Sequence, residues 1–128
     1  MHPSDKARII IDTWAEKLAN SRNLVIIEGP HDEHALHLLE ITNTYTLNKK
    51  PLYKVVEEVA KQSTEVIILT DFDTEGKKLH STLNTDLQKH KIKVDSYFRE
   101  FLHLNTSIRH IEHLTGYIKN LDKKSQRF

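Results

Sequence analysis

The sequence has 128 residues, which suits one domain with its own hydrophobic core and is too short for two. Lysine and arginine number 19 against 18 aspartate and glutamate, so the net charge of +1 excludes a strongly basic chain, and any nucleic-acid surface must be local. The lack of cysteine excludes disulfides, thiolate zinc sites and thiol nucleophiles. No apolar run approaches the roughly 20 residues that span a bilayer, and the start of the chain does not resemble a signal peptide. We therefore predict a soluble, cytoplasmic protein without a membrane partner.

The first part of the chain predicts a helix, a buried strand and a second helix. Apolar side chains recur at helical spacing over residues 5–20. Residues 24–27 are all apolar, which predicts a strand buried on both faces, and Glu28 follows at its end. Pro30 suits the first turn of the next helix, which we predict over residues 31–41.

The middle of the chain continues this alternation. Residues 44–47 are β-branched and aromatic and predict a short strand, and Pro51 then opens a helix that fades before residue 64. Residues 66–69 form a second fully apolar strand. After Gly76, leucines spaced by four predict a helix that ends near residue 90.

The last part predicts one more strand and one more helix. Residues 92–97 alternate polar and apolar side chains, and residues 106–121 carry a narrow apolar stripe behind a capping Asn105 or Thr106. Strands and helices that alternate in this way predict an α/β fold, with a mostly parallel sheet of about four strands and helices on both faces.

Acidic residues follow the strand at 66–69. Asp71, Asp73 and Glu75 stand where an open α/β sheet binds its ligands, beyond the carboxyl end of a strand. Side chains alternate along extended backbone, so Asp71 and Asp73 point the same way and can share a hard cation. Three carboxylates this close repel one another, and a divalent metal ion would remove that repulsion.

Two acidic strand ends in this order resemble the Toprim domain. The pattern is Glu28-Gly29, then one short strand and two helices, then Asp71-x-Asp73-x-Glu75-Gly76. Toprim is the catalytic module of topoisomerases, bacterial-type primases, overcoming-lysogenization-type nucleases and ribosomal-RNA maturases. The resemblance implies a Rossmann-like core at about 24–98 within a single domain over residues 1–128, to which the helices at 5–20 and 106–121 are additions.

The resemblance also implies roles for the acids. Glu28 would be the general acid or base, and Asp71 and Asp73 would bind Mg²⁺, with Mn²⁺ as an alternative. Glu75 matches the third acid of the type IA topoisomerase motif and could complete the metal site. Related proteins often carry a lysine soon after the first glycine, whereas here Pro30 and His31 follow it.

The chain resembles small stand-alone Toprim proteins of archaea and bacteria, because it has no room for the gate domains of a topoisomerase or the partner domains of a primase. We expect it to act on nucleic acid, with RNA favoured over DNA, by metal-dependent phosphodiester cleavage or transfer. One alternative is a non-catalytic RNA-binding module within an RNA-processing complex, and a lesser one is a haloacid dehalogenase-like phosphatase. A homodimer that forms through the N-terminal or the C-terminal helix is also compatible with the sequence.

Several cationic residues are candidates for contact with a phosphate backbone, although each also suits an ordinary solvated surface. They are Lys77, Lys78, Arg99, Arg109 and His31, the last because it lies close to Glu28 in the sequence. The other histidines, including His110 and His113, are interpreted as solvated surface residues, since a zinc site needs three or four converging ligands.

Overall fold

A computed structural model describes residues 1–125 of the protein, and residues 126–128, the end of the predicted single domain, lie outside that range. Helices and strands alternate as far as the fourth strand, and helical segments follow it. The strands are β1 (Leu24–Ile27), β2 (Thr44–Thr46), β3 (Glu65–Ile68) and β4 (Lys93–Asp95). The helices are α1 (Pro3–Ala19), α2 (Pro30–His37), α3 (Leu52–Gln62), α4 (Thr74–Lys89), α5 (Tyr97–Asn105), a short 3₁₀ helix (Ile111–His113) and α6 (Leu114–Ser125).

The four strands form one parallel sheet in the order β2-β1-β3-β4. The predicted α/β fold is therefore confirmed. In the two central strands, Ile26 of β1 pairs with Ile68 of β3 and, on the other side, with Tyr45 of β2. Every residue of β1 is buried, because helices cover both faces of the sheet.

Side chains of the central strands alternate between two hydrophobic clusters, one on each face. Val25, Ile27 and Ile67 point to the face covered by α1, α5 and α6. Leu24 and the other buried residues of these two strands point to the opposite face, which α3 and α4 cover. The terminal helices α1 and α6 pack against each other and share the first cluster, so they enclose one side of the core.

The prediction after β4 is wrong in one respect, because α5 begins at Tyr97, the last residue of the predicted strand, and occupies a stretch where no helix was predicted. Phe98 and Leu102 lie four apart and bury one face of this helix. Thr106 was expected to start the last helix, but its Oγ1 donates to the carbonyl of Leu102 and closes the end of α5.

The helix predicted at 106–121 is therefore shorter at its start, and α6 begins only at Leu114. The segment 106–113 instead forms a loop and the 3₁₀ turn. The second helix is also shorter than predicted, since α2 ends at His37 and Glu40 takes a left-handed conformation with φ of 63°. None of the helices within residues 1–125 is both long and apolar enough to cross a membrane.

Candidate metal centre

The acidic ends of β1 and β3 meet at one edge of the sheet. Glu28 directly follows β1, and its Oε2 accepts a hydrogen bond of 2.6 Å from the backbone N–H of Asp71. Just before this point, the N–H of Leu69 donates to the carbonyl of Ile26, which keeps the two strand ends in register. The two acidic segments that the sequence singled out are thus joined directly.

Asp71 and Asp73 converge with a third side chain, that of His110. Nδ1 of His110 lies 3.4 Å from Oδ2 of Asp71 and 3.7 Å from Oδ2 of Asp73. One possible ligand atom from each of the three residues lies within 4.8 Å of the others. Among residues 1–125 this is the group of acids and histidines whose atoms come close enough together to hold a metal ion.

The first turn of α4 is pressed against the backbone of Asp71. Oδ1 of Asp73 caps α4 by accepting from the N–H of Gly76 at 2.7 Å, and Oγ1 of Thr70 donates to the carbonyl of Gly76 at 2.8 Å. A Cβ added to Gly76 would lie only 2.1 Å from the carbonyl oxygen of Asp71. Glycine is therefore needed here for close approach of two backbone segments.

The segment 106–113, which is distant from the acids in the sequence, contacts them in the fold. The N–H of Ile111 donates to Oδ1 of Asp71 at 2.8 Å, and the N–H of Phe72 donates to the carbonyl of Arg109 at 2.8 Å. Ile111 is fully buried in the core and fixes this segment in place. His110, which lies between these two anchors, is consequently held beside Asp71 and Asp73.

His110 is the residue that sequence reasoning missed, because residues 106–121 were assigned to one helix and its histidines to the solvated surface. Ile108 and Ile111 are both buried, while Arg109 between them is exposed. Two buried isoleucines that frame an arginine and a histidine were the available signal, and they suit an anchored loop as well as a helix.

Burial and charge make this edge of the sheet electrostatically unfavourable without a cation. Burial, together with the nearby Asp71 and Asp73 carboxylates, raises the pKa of Glu28 to about 7. Asp32, which accepts from the N–H of Gly29 at 3.1 Å, is almost fully buried, and burial together with the charge of Asp71 raises its pKa to about 6. Burial is the larger cause of both shifts and the neighbouring carboxylates add to it, so a bound cation would favour the ionised form of both acids.

The donor set fits a divalent cation. Carboxylate oxygens suit Mg²⁺ and Mn²⁺, and a ligand set with few protein groups leaves positions open for substrate. The histidine nitrogen adds a softer donor, which favours Mn²⁺ more than Mg²⁺. Asp71, Asp73 and His110 are the residues that could hold such an ion.

Glu75 and His31 line a cavity that Asp71 also borders, and His110 does not line it. Glu75 is exposed on the first turn of α4 and is not one of the three converging side chains, although it lines the same cavity as Glu28 and Asp71. His31 lines that cavity from the start of α2. The metal role of Glu75 and the phosphate role of His31 stay predictions.

The predicted phosphate contacts fall into two groups. Lys77, Lys78 and Arg109 are exposed, the two lysines on α4 and the arginine on the loop before the 3₁₀ turn. Arg99 is half-buried: its Nε donates to the carbonyl of Thr70 at 3.1 Å and its Nη2 to that of Asp71 at 2.7 Å. The guanidinium of Arg99 therefore holds the end of β3, and phosphate binding by any of the four stays a prediction.

Comparison with known proteins agrees with this fold. The model of the Toprim domain matches residues 23–104. A UPF0292 protein of Methanocaldococcus jannaschii is 34% identical over 106 residues, which cover 80% of this chain and 83% of that protein. A UPF0292 protein of Thermococcus sibiricus is 34% identical over 121 residues, covering 92% and 94%.

A solved structure is similar as well. It is described as a putative protein from Aquifex aeolicus and superposes with a TM-score of 0.75 at 30% sequence identity, covering 80% of this chain and 96% of that one. The resemblance that the two acidic strand ends carried is therefore confirmed. The chain belongs to the Toprim domain family and, within it, to the UPF0292 proteins.

Proposed function

We propose that this protein is a metal-dependent enzyme that cleaves or transfers phosphodiester bonds in nucleic acid, with RNA as the favoured substrate. The observation that carries the proposal is the pairing of Glu28 with the backbone of Asp71, beside the Asp71, Asp73 and His110 group. A carboxyl group that changes its charge near neutral pH stands next to a set of metal-ligating atoms. Phosphoryl transfer needs these two components, charge neutralisation and proton transfer.

Asp71, Asp73 and His110 would hold Mg²⁺ or Mn²⁺ in this proposal. The cation, when bound, supplies positive charge that stabilises a phosphate group in reaction. Glu28 takes or gives a proton at its carboxyl group, for which a pKa of about 7 is suited at physiological pH. The N–H of Asp71 fixes the orientation of that carboxyl group.

The remaining residues bind and orient in this proposal. Arg99 is a positioning residue, because its guanidinium holds the backbone of Thr70 and Asp71. Lys77, Lys78 and Arg109 are exposed near the centre and would contact flanking phosphates. The preference for RNA, and a homodimer or RNA-processing complex as the working form, rest on the resemblance to stand-alone Toprim proteins and ribosomal-RNA maturases.

A non-catalytic RNA-binding module is the second candidate. It is favoured because both aspartates have structural roles. Asp71 accepts a hydrogen bond from the N–H of Ile111, and Asp73 caps α4. Acids with such roles would be retained in a protein that binds RNA without cleaving it. The phosphatase alternative is not carried further, because the chain belongs to the Toprim family.

The test is an assay of cleavage and binding in the same samples. End-labelled RNA and DNA, single and double stranded, are incubated with the protein in Mg²⁺, Mn²⁺ or EDTA. The variants are Glu28→Gln and Asp71→Asn, and the control is Glu57→Gln, an exposed glutamate on α3 away from the centre. Calorimetry measures Mn²⁺ binding by each protein.

We expect metal-dependent RNA cleavage by the wild type and by Glu57→Gln. Glu28→Gln should lose at least 100-fold in rate while it still binds Mn²⁺, since removal of a general acid or base costs about 10²–10⁴-fold. Asp71→Asn should lose both metal affinity and cleavage. Binding without cleavage in every protein would favour the RNA-binding module, and unchanged cleavage by Glu28→Gln would contradict the role of Glu28.

A further inference from the structure

A cavity of about 320 Å³ lies beside the acids, within the range of cavities that take small ligands. Glu28 and Asp71 contribute to its polar wall, at the ends of β1 and β3. Its apolar wall is formed by three leucines, Leu47, Leu52 and Leu79. They belong to the hydrophobic cluster on the face of the sheet that α3 and α4 cover. Lys49 and Lys50 add positive charge where the chain leaves β2.

The turn that carries these lysines has an uncommon backbone. Asn48 and Lys49 both have positive φ, 46° and 61°, and the N–H of Lys50 donates to the carbonyl of Leu47 at 2.9 Å. A two-residue turn of this kind favours asparagine followed by glycine, because both positions are left-handed. A lysine at the glycine position costs free energy, and such residues cluster at ligand-binding sites.

The two lysines differ in their surroundings. Lys50 has partners: its Nζ lies 3.3 Å from Oε2 of Glu58 and 4.9 Å from the ring centre of Tyr45. Lys49 is exposed and forms no ion pair with any residue in the part of the chain that the structure describes. Lys49 thus offers the cavity a cation that is not already paired.

The order of the strands separates the positive and the acidic ends of the cavity. β1 lies between β2 and β3, so Lys49 after β2 and Asp71 after β3 lie on opposite sides of Glu28. Anions are repelled at the acidic end unless a cation is bound there, whereas Lys49 attracts them at the other end. This separation of charge matches two successive phosphates of a nucleic-acid chain with one nucleoside between them.

We propose that the cavity is a subsite for one unpaired nucleotide, with its nucleoside against the leucine wall and the neighbouring phosphate on Lys49. The proposal rests on the proposed function, since the first phosphate is the one at the Asp71 and Asp73 centre. The base must be unpaired, because a base stacked in a duplex cannot present its face to an apolar wall. The cavity thereby selects single-stranded ends, loops or bulges.

The test compares two probes in Mg²⁺ by calorimetry: adenosine 3′,5′-bisphosphate, which carries a phosphate on each side of one nucleoside, and adenosine 5′-monophosphate. The variant is Lys49→Gly, which removes the cation and gives the left-handed position its preferred residue. The control is Lys91→Gly, since Lys91 is also exposed and left-handed, with φ of 61°, but lies at the other end of the sheet, before β4. Both variants should unfold at a temperature no lower than that of the wild type.

We expect the wild type and Lys91→Gly to bind the bisphosphate about 10-fold tighter than the monophosphate, the value of one charge-assisted contact. Lys49→Gly should bind the two probes equally. An advantage of the bisphosphate that persists in Lys49→Gly, or that is absent from the wild type, would overturn the subsite. Because neither probe has a bond to cleave between nucleotides, this result is independent of whether Glu28→Gln abolishes RNA cleavage.

Discussion

The candidate metal centre depends on close approach between Gly76 and the backbone of Asp71. The first turn of α4 can approach the end of β3 only because Gly76 has no side chain. That approach lets Asp73 cap the helix and lets Thr70 reach the carbonyl of Gly76. The glycine of the Asp-x-Asp-x-Glu-Gly motif is therefore a packing requirement of the centre, independent of any ligand.

We predict that Gly76→Ala lowers the free energy of unfolding by about 2–3 kcal/mol, because the new Cβ would clash with the backbone carbonyl of Asp71. Urea denaturation measures the change. The control is Gly116→Ala in α6, where a Cβ meets nothing within 4 Å. Alanine should raise the free energy of unfolding there by about 0.5–1 kcal/mol. Equal stability of the two variants would show that α4 can move away from Asp71 at little cost.

At the scale of elements, the sequence predicted the central layer better than the segments around it. Fully apolar strands such as Leu24–Ile27 have one favourable solution, a sheet buried on both faces, so they and the acids at their ends were predictable. The run Tyr97–Asn105 was not, since Phe98 and Leu102 fit helical spacing while Ile92, Val94 and Phe98 also fit strand alternation.

The meeting of His110 with the aspartates was beyond prediction for a different reason. It depends on tertiary hydrogen bonds from Ile111 to Asp71 and from Phe72 to Arg109, and no local pattern encodes contacts between such distant segments. Sequence reasoning could find the acids by their position after strands. It could not find a candidate ligand that reaches them from a loop.

Trp14 joins the helices α1 and α5. Its Nε1 donates to the buried backbone carbonyl of Phe98 at 3.0 Å, and its ring meets that of Phe98 edge-on. We predict that Trp14→Phe costs about 2 kcal/mol, since it removes the hydrogen bond from Nε1 to this carbonyl and removes ring volume from the core.

Thermal or urea denaturation checks this value. The control is Thr13→Ala, an exposed neighbour on the same helix, which should change stability by no more than about 0.5 kcal/mol. A similarly small effect of Trp14→Phe would mean that α1 contributes little to the shared core. We expect the opposite, because Ile11, Trp14 and Leu18 are all buried in the cluster that also contains α5 and α6.

At the scale of the whole molecule, the charge is nearly balanced but unevenly distributed. The net charge is only +1, yet Glu28, Asp32, Asp71, Asp73 and Glu75 gather at one edge of the sheet. The metal-free protein must therefore bear the repulsion of these acids whenever all of them are ionised. Its stability should depend on pH through this edge.

We predict that the metal-free protein loses stability as the pH rises through about 7. The pKa of Glu28 is raised from 4.5 in the unfolded chain to about 7 in the fold, so the folded state binds the proton more tightly. The stabilisation is complete below pH 4.5, declines as the pH rises from 4.5 to 7, and is absent once Glu28 is ionised above pH 7. Water still reaches this carboxyl group, which limits the effect to about 1 kcal/mol.

Melting temperatures in EDTA between pH 5 and pH 8 measure this dependence. Glu28→Gln should be more stable than the wild type at pH 8 and should show a weaker decline, the remainder coming from Asp32 with its pKa of about 6. Addition of Mn²⁺ at pH 8 should raise the melting temperature of the wild type. A wild type that gains stability from pH 5 to pH 8 in EDTA would contradict the prediction.

The hydrogen bond between Ile111 and Asp71 joins residues 40 positions apart in the chain, and this has a consequence during protein synthesis. The ribosome makes β1 and β3, with Glu28, Asp71 and Asp73, well before it makes residues 110 and 111. Until then Asp71 lacks one of its donors, and His110, the third candidate ligand, does not exist. The candidate metal centre is thus completed late, so a partly made chain, still surrounded by messenger and ribosomal RNA, lacks the complete centre that our proposal requires for cleavage.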